Sequence, residues 1–221
     1  MILNDVITEV RRILQDENAP QRYSDTVLLG FANQALKRIS VLRPDLFAFM
    51  GTVACVQNEV LQSAPSDSIR IMEVFSVQGG EGVIETNREV LDQSYPQWIN
   101  DTAAACRNFM RHPRNPNKFF IYPKAPAGQT LVVEYAQSPP VYDGTTTVAL
   151  LPDAFLPAVV DGTVYLAESV DNEHVLQGRA ELFLKSFTQA LGVSASNRIF
   201  TDTEAAGLQP VNKQKIEEDL T

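Results

Sequence analysis

The strongest constraint on the fold comes from two amphipathic helix patterns between residues 151 and 192. Apolar residues recur there at three- and four-residue steps, with a polar break at Asp171-Asn172-Glu173. Asp153 is predicted to cap the first helix, and Gly192 suits the left-handed residue that follows the second. Burying a large apolar side chain contributes about 1.5–3 kcal/mol, so both stripes need a packing partner. The stripes are Leu156, Val159, Val160, Thr163, Val164, Ala167 and Val170, followed by Leu176, Ala180, Phe183, Phe187, Ala190 and Leu191.

A second amphipathic pair at the start of the chain can supply that partner. Residues 2–14 carry apolar side chains on one helical face, with charged residues such as Arg11 mostly on the other. The polar cluster before Pro20 ends this helix, and Ser24 can cap the next one. Arg43-Pro44 then stops the second helix. The sequence therefore predicts a helical hairpin at each end of the folded region.

Between the two hairpins the hydrophobic period changes from about 3.6 to 2, which is typical of β-strands. Gly79 to Gly82 indicates a turn between strands, and Arg88 to Gln93 could form one short helical turn. Residues 99–117 are predicted to be largely irregular. Candidate strands are Thr52–Gln57, Glu59–Gln62, Ile69–Val77, Phe119–Tyr122 and Leu131–Tyr135, with a weaker one at Thr146–Leu150.

The order of elements predicts an α+β fold. Residues 1–48 and 151–192 would form an antiparallel bundle of four main helices, because each hairpin needs the apolar face of the other. Residues 49–150 would be an inserted antiparallel β-rich domain. Residues 193–221 have too few apolar residues for a core and are predicted to be an extended C-terminal arm. Its candidate interface residues are Ile199, Phe200, Leu208, Val211, Ile216 and Leu220.

Charge and composition exclude several classes of protein. The net charge of −9 argues against a nucleic-acid clamp, which needs clustered Lys and Arg. The richest basic run, from Arg107 to Lys118, is interrupted by Pro and His and is interpreted as a loop. No apolar run is long enough to span a membrane, and the start lacks a signal peptide, so we expect synthesis in the cytoplasm. Cys55 and Cys106 are expected to be reduced thiols.

No catalytic, cofactor or metal site is predicted. His112 in a loop and His174 near the last helix pair lack a nucleophile motif. The acidic residues Asp161, Glu168, Asp171 and Glu173 lack the spacing of a calcium loop and are interpreted as a solvated helix corner, although sequence does not exclude a carboxylate pair. The glycines at 79–82 lack the Lys-Ser or Lys-Thr of a phosphate loop.

Aromatic residues of the β-rich region leave two interpretations open. They could form a platform that stacks on sugars or bases, but in alternating strands they more often form the core beneath a sheet. The residues are Trp98, Phe119, Phe120, Tyr122 and Tyr135.

Several stretches together resemble the head-to-tail adaptor proteins of tailed bacteriophages, particularly those of short-tailed phages, also called head completion or tail tubular proteins. The resemblance rests on the order of these stretches and covers most of the chain. They are Leu14-Gln15-Asp16-Glu17, Asn33-Gln34-Ala35-Leu36, Arg43-Pro44-Asp45-Leu46-Phe47, His112-Pro113-Arg114-Asn115-Pro116, Phe119-Phe120-Ile121-Tyr122-Pro123, Val132-Val133-Glu134-Tyr135-Ala136, Ser138-Pro139, Leu151-Pro152-Asp153-Ala154-Phe155 and Phe187-Thr188-Gln189-Ala190-Leu191-Gly192. Gly162 and Val170 depart from the bulkier residues expected in the third helix.

The resemblance implies a virion protein without enzymatic activity or cofactor, assembled in the host cytoplasm. It implies a homo-oligomeric ring, usually of twelve copies, that docks under the portal protein and presents a platform for a tail nozzle or other tail components. The helical part would line the ring, and the arm would reach the portal or an adjacent subunit. Phage DNA would pass through without sequence-specific binding, and an acidic channel wall would keep its phosphates away.

Two other classes of function remain open from the sequence. The β-rich domain could bind carbohydrate or a receptor, in which case a monomer would bind glycans. A virion-associated hydrolase is the third class, and it predicts one Asp or Glu whose replacement abolishes turnover without disturbing assembly.

Overall fold

The chain has a mixed α+β fold, with five helices and two β-sheets among the residues that the structure describes. The computed structural model describes residues 1–18, 22–170 and 178–192. The helices are α1 (Leu3–Leu14), α2 (Asp25–Leu42), α3 (Arg88–Ser94), α4 (Leu156–Glu168) and α5 (Arg179–Ala190). The strands are β1 (Ala48–Ala54), β2 (Leu61–Ser63), β3 (Ser68–Val77), β4 (Ile84–Glu85), β5 (Asn108–Arg111), β6 (Lys118–Tyr122) and β7 (Thr130–Gln137).

Local sequence signals explain most of the helix ends. The Ser24 side chain accepts a hydrogen bond from the amide of Val27 at the start of α2, as predicted. Gly192 has a φ of +67° just after α5, which confirms the expected left-handed residue. The predicted cap at Asp153 is wrong, because α4 begins at Leu156 without a side-chain cap. Asp153 instead pairs with the N-terminal amine of Met1.

Apolar residues of α1, α2, α4 and α5 meet in one buried cluster. Its members include Leu3, Val6, Val10, Leu28, Leu36, Ile39, Phe47, Tyr142, Leu151, Val159, Val164, Phe187 and Leu191. Four described residues of the predicted stripes, Thr163, Val170, Ala180 and Ala190, do not belong to it, and Leu176 lies outside the described residues. Val170 follows the end of α4 and is 39% exposed, and Ala190 is exposed in the last turn of α5. That these four helices form an antiparallel bundle stays a prediction.

Arg11 is buried, whereas the sequence placed it on the outer face of the first helix. Its guanidinium donates hydrogen bonds to the Asp16 carboxylate at 3.0 Å, to the Tyr23 carbonyl at 2.9 Å and to the Asp25 carboxylate. The last turn of α1 therefore faces the start of α2, where two carboxylates compensate the buried cation. Helical periodicity could not show this, because the carboxylates lie beyond the helix.

The strands form two sheets that share a second apolar cluster. The three-stranded sheet has the order β1-β7-β3, and the four-stranded sheet has the order β2-β6-β5-β4. All pairs are antiparallel except β4 with β5, which are parallel, so the predicted purely antiparallel domain needs this correction. The cluster contains Val53, Ile71, Val74, Val83, Cys106, Phe109, Phe119, Ile121, Ala125, Leu131, Val133 and Tyr135.

Two segments of the β-rich region differ from the prediction. Residues 99–117 contain β5. The sequence did not predict this strand, because Phe109 and Met110 are both buried and break the alternation of buried and exposed residues. Residues 146–150 form no strand. Thr147 makes a single bridge with Ile2, and the Val148 amide donates to the Met1 carbonyl. The predicted helical turn at 88–93 is confirmed as α3, with Asn87 as its cap.

Candidate functional site

His112 has a structural role in its loop. Its Nδ1 accepts hydrogen bonds from the backbone amides of Arg114 at 3.2 Å and Asn115 at 2.9 Å, and its ring stacks on Phe120. An imidazole nitrogen that holds a turn in this way is not available as a general base. His174, the other histidine, lies outside the described residues. Among the described residues, no three His, Cys, Asp or Glu side chains form a potential metal site.

The predicted solvated helix corner is wrong for Glu168, which is only 1% exposed. Its Oε1 lies 3.7 Å from Nη1 of Arg22 and 3.6 Å from Nε of Arg179. Asp161 accepts a hydrogen bond from the Ser186 hydroxyl at 2.6 Å, which ties α4 to α5. Asp171 and Glu173 lie outside the described residues. The two described carboxylates therefore hold helices together, and nothing in their surroundings marks a catalytic pair.

Aromatic side chains of the β-rich region are mostly core residues. Phe119, Tyr135 and Trp98 are between 0% and 5% exposed. Trp98 packs edge-on against Phe120 and Tyr122, so its faces are not presented for stacking. The turn at 79–82 connects β3 to β4, with Gly79 at a φ of +70°.

The basic run from Arg107 to Lys118 is only partly a loop, because its ends lie in β5 and β6. Arg111 binds the Glu85 carboxylate at 2.7 Å and donates to the backbone carbonyls of Ile71 and Met72 in β3. This arginine therefore fastens the two sheets together, and it also covers part of the outer edge of β3.

The outer edge of β1 is the strongest candidate for a binding surface in the described chain. The Cys55 amide donates to the Gln129 carbonyl at 2.9 Å, and the same register continues along β1 and β7. In an antiparallel pair, alternate residues bond to the partner strand. Phe49, Gly51 and Val53 therefore bond to β7. The backbone N–H and C=O groups of Met50, Thr52 and Ala54 point outward, and no described residue pairs with them. Ala48 is excluded from this set, because its amide donates to the Asp45 carbonyl.

The other long edge in the same sheet is protected. On β3, Arg111 covers the carbonyls of Ile71 and Met72. Further along, the Val83 amide donates to the Phe75 carbonyl, and the Val77 amide donates to the Glu81 carbonyl. In the four-stranded sheet, the edge strands β2 and β4 have only three and two residues. The seven-residue β1 is thus the longest edge that the described chain leaves open.

The side chains around β1 are suited to a protein partner. Phe49 is 42% exposed, and Met50 and Val56 are each 58% exposed. No residue from Leu46 to Asn58 is charged. Edge strands that remain free in solution usually carry charged residues, prolines or bulges that prevent pairing with another chain. β1 has none of these, and its pairing with β7 is regular.

The described chain ends close to the start of β1. Nη1 of Arg43 donates to the Leu191 carbonyl at 2.6 Å, and Arg43 precedes the first residue of β1 by five positions. The same guanidinium forms a bidentate ion pair with Asp45. This hydrogen bonding holds the pKa of the Asp45 carboxyl below its usual value, so both charges persist at neutral pH. The last described residues therefore contact Arg43, in the segment that leads into β1.

The six predicted interface residues of the arm, from Ile199 to Leu220, lie outside the described residues. The structure adds the edge of β1, which sequence reasoning missed. Periodicity predicted a strand at Thr52–Gln57, but it does not show which strands lie at a sheet edge. The uncharged run from Leu46 to Asn58 was the available signal.

Comparison with known proteins gives one family. The profile of the SU10 adaptor protein family matches residues 1–211, which is nearly the whole chain. No curated protein matches the chain. The match covers the helical elements, both sheets and the first part of the segment that follows Gly192. None of the described helices is long and apolar enough to cross a membrane.

Proposed function

We propose that this chain, which belongs to the SU10 adaptor protein family, forms a ring of twelve copies between the portal and the tail of a short-tailed phage. The family is one of phage head–tail adaptors, so the chain is a structural component of a virion and interacts with other head or tail components. Structural adaptors of this kind are in general not enzymes. The family match over residues 1–211 is the observation that carries the proposal.

The division of the chain follows its two apolar clusters. The helical part, residues 1–48 and 151–192, would form the rigid wall of the ring, because a closed ring needs a stiff wedge in each subunit. The β-rich part, residues 49–150, would face the tail nozzle or other tail components. Two separate clusters of buried residues support the division, with the difference that Tyr142 and Val148, from the end of the range 49–150, pack in the helical cluster.

The surface of the chain also supports assembly. α5 buries only Phe187 fully, and its Leu182 is 68% exposed. Together with β1, this gives each copy apolar surfaces on both its helical and β-rich parts. Exposed apolar residues of this kind mark protein–protein contacts. The arm, residues 193–221, would add a further contact to the portal or to an adjacent subunit through its apolar residues.

The excess of acidic over basic residues is compatible with a channel through which DNA passes. With a net charge of −9 per copy, acidic side chains on the channel wall would repel phosphates and let DNA slide through without sequence-specific binding. An experimental structure of the ring tests this directly, and a basic channel wall would contradict it.

The mass of the assembled particle tests the ring. Light scattering of the chain bound to portal protein should give the mass of the portal plus twelve times the 24.4 kDa of one copy, and negative-stain images should show closed rings. A chain that stays monomeric at every concentration, with and without portal, would overturn the proposal.

Removing the residues after Gly192 should leave the fold intact and weaken attachment to the portal or to the adjacent subunit, because both clusters end before that point. Full attachment after this truncation would refute the role of the arm.

A further inference from the structure

The backbone groups along the outer edge of β1 have no pairing strand among the described residues. Its three outward-facing residues, Met50, Thr52 and Ala54, present backbone donors and acceptors in the geometry of a β-ladder, and the neighbouring side chains are uncharged and partly apolar. Such an edge binds an extended segment by main-chain hydrogen bonds, while alternate side chains fill the surface on either side. We propose that residues 193–221 of a neighbouring copy supply this strand, so that the arm of each subunit extends the three-stranded sheet of the next. This inference rests on the proposed ring.

The position of Leu191 makes this segment the best occupant. Arg43, five residues before β1 begins, donates to the Leu191 carbonyl, so the described chain ends against the segment that leads into β1. The 29 residues after Gly192 could extend over at most about 100 Å. Seven extended residues, or about 23 Å, are enough to cover β1. Covering the whole edge would therefore use about a quarter of that length and leave about 77 Å to span the distance to the next copy.

The composition of the arm favours a strand near its start. Ile199, Phe200, Thr201 and Thr203 are β-branched or aromatic, and no proline occurs before Pro210. With alternating side chains, Phe200 would lie on one face of the extended sheet and Ile199 on the other. Phe49 and Met50 are exposed on opposite faces of β1 and would gain apolar neighbours there. Two of the six predicted interface residues of the arm, Ile199 and Phe200, would thus match the two exposed faces.

A neighbouring copy fits better than a symmetric pairing of two β1 strands. Pairing β1 with β1 is isologous and closes after two copies, which uses the edge without building a ring. An arm that binds the edge of the next copy is a heterologous contact, which can repeat around a ring and close.

Cysteine cross-linking of the full chain tests the proposal. Two differently tagged full-length chains are mixed, both carrying Cys55→Ser. One carries Thr52→Cys, and the other carries a single cysteine at one of the positions from 197 to 203. We expect disulfide-linked heterodimers for alternate arm positions. The matched control, Gln93→Cys on the exposed surface of α3, should give none with the same arm cysteines. Burial raises the pKa of the Cys106 thiol to about 11, so this residue should not compete.

A proline on β1 gives a second, independent test. Thr52→Pro removes an outward N–H without removing a hydrogen bond to β7, so the fold should be kept. Losing this bond should lower the cross-linking yield between Phe49→Cys and the arm about tenfold, which corresponds to one hydrogen bond. Thr52→Val keeps the N–H and should give the original yield. If Thr52→Pro does not fold, hydrogen exchange of the unsubstituted chain provides the test. The amides of Met50 and Ala54 should exchange slowly in the assembled particle and fast in the monomer.

The outcomes separate this inference from the proposed function. Rings without any cross-link between copies would overturn the pairing and leave the ring standing. Cross-links only between two β1 strands would overturn the choice of a neighbouring arm. So would a chain that carries both Thr52→Cys and an arm cysteine and cross-links only within itself, while the mixed chains give no heterodimer. A chain that never assembles would remove the proposed ring, and the inference with it.

Discussion

Replacing Gly162 with alanine should destabilise the chain, although alanine is the better helix former. Gly162 lies buried in α4, and a Cβ atom at this position would be 2.9 Å from Cε2 of Phe187 and 3.1 Å from Cβ of Ala35. Alanine gains about 1 kcal/mol in helix propensity. Overpacking a close-packed core costs about 1–3 kcal/mol. Because Phe187 is itself only 2% exposed and has little room to move, we expect the free energy of unfolding to fall by up to about 2 kcal/mol.

Gly30 provides a matched control. It lies in the interior of α2, is exposed, and has no atom within 4 Å of the position that a Cβ would take. Gly30→Ala should therefore raise the free energy of unfolding by about 1 kcal/mol through helix propensity alone. The two substitutions have the same chemistry and should have opposite effects on stability.

Urea unfolding followed by far-ultraviolet circular dichroism measures both changes, since this signal reports the helices, whereas Trp98 lies in the β-rich part. A double-mutant cycle with Phe187→Leu assigns the cause. With the smaller leucine at 187, the cost of Gly162→Ala should shrink by about 0.5–2 kcal/mol. A Gly162→Ala variant as stable as Gly30→Ala, or a cycle with no coupling, would show that the close approach of these helices does not control the choice of glycine.

Three further predictions concern single contacts. Asn33 bonds to both the amide and the carbonyl of Tyr142, at 2.8 and 3.0 Å, so Asn33→Ala should lower the free energy of unfolding by about 1–3 kcal/mol, and an unchanged thermal midpoint would contradict this. Burial raises the pKa of the Cys106 thiol to about 11, so a thiol reagent at pH 8 should label the half-buried Cys55 first and Cys106 only after denaturation; equal labelling rates would refute the assignment. Hydrogen bonds from the amides of Thr146 and Thr145 lower the pKa of Asp143 from 3.8 to about 2. Its stabilising contribution is therefore complete above pH 4 and lost as the pH falls toward 2, and a carboxyl titration by NMR with an ordinary midpoint would contradict it.

The helices of the helical part were predictable because their apolar residues recur at helical spacing, although α4 is buried on more sides than one stripe requires. Leu3, Leu36 and Val164 were all expected to be buried, and all are 0% exposed. Gly162 was noted as an unusual residue in the third helix, and the structure supplies the reason: its missing side chain makes room for Phe187. No periodic pattern predicts which residue a helix will meet on its neighbour.

Contacts between distant segments limited the other predictions. Arg11 and Glu168 were expected to be solvated, but each is compensated by charged groups on other elements. β5 was missed because two consecutive buried residues, Phe109 and Met110, do not alternate. The edge of β1 depends on the strand order β1-β7-β3, which is a property of the whole sheet. For Glu168 and for the edge of β1, the cause lies in residues far away in the sequence.

The two apolar clusters are completed at different moments of protein synthesis. All residues of the β-rich cluster have been made once Tyr135 has left the ribosome, whereas the helical cluster needs Phe187 and Leu191. Since domains generally fold as they emerge, the β-rich part can become compact while α1 and α2 still expose their apolar faces. A nascent chain stalled before α4 would carry this uncovered hairpin as a ready substrate for chaperones. The helical core can close only after Leu191 has been synthesised, so only such a subunit can assemble with a complete core.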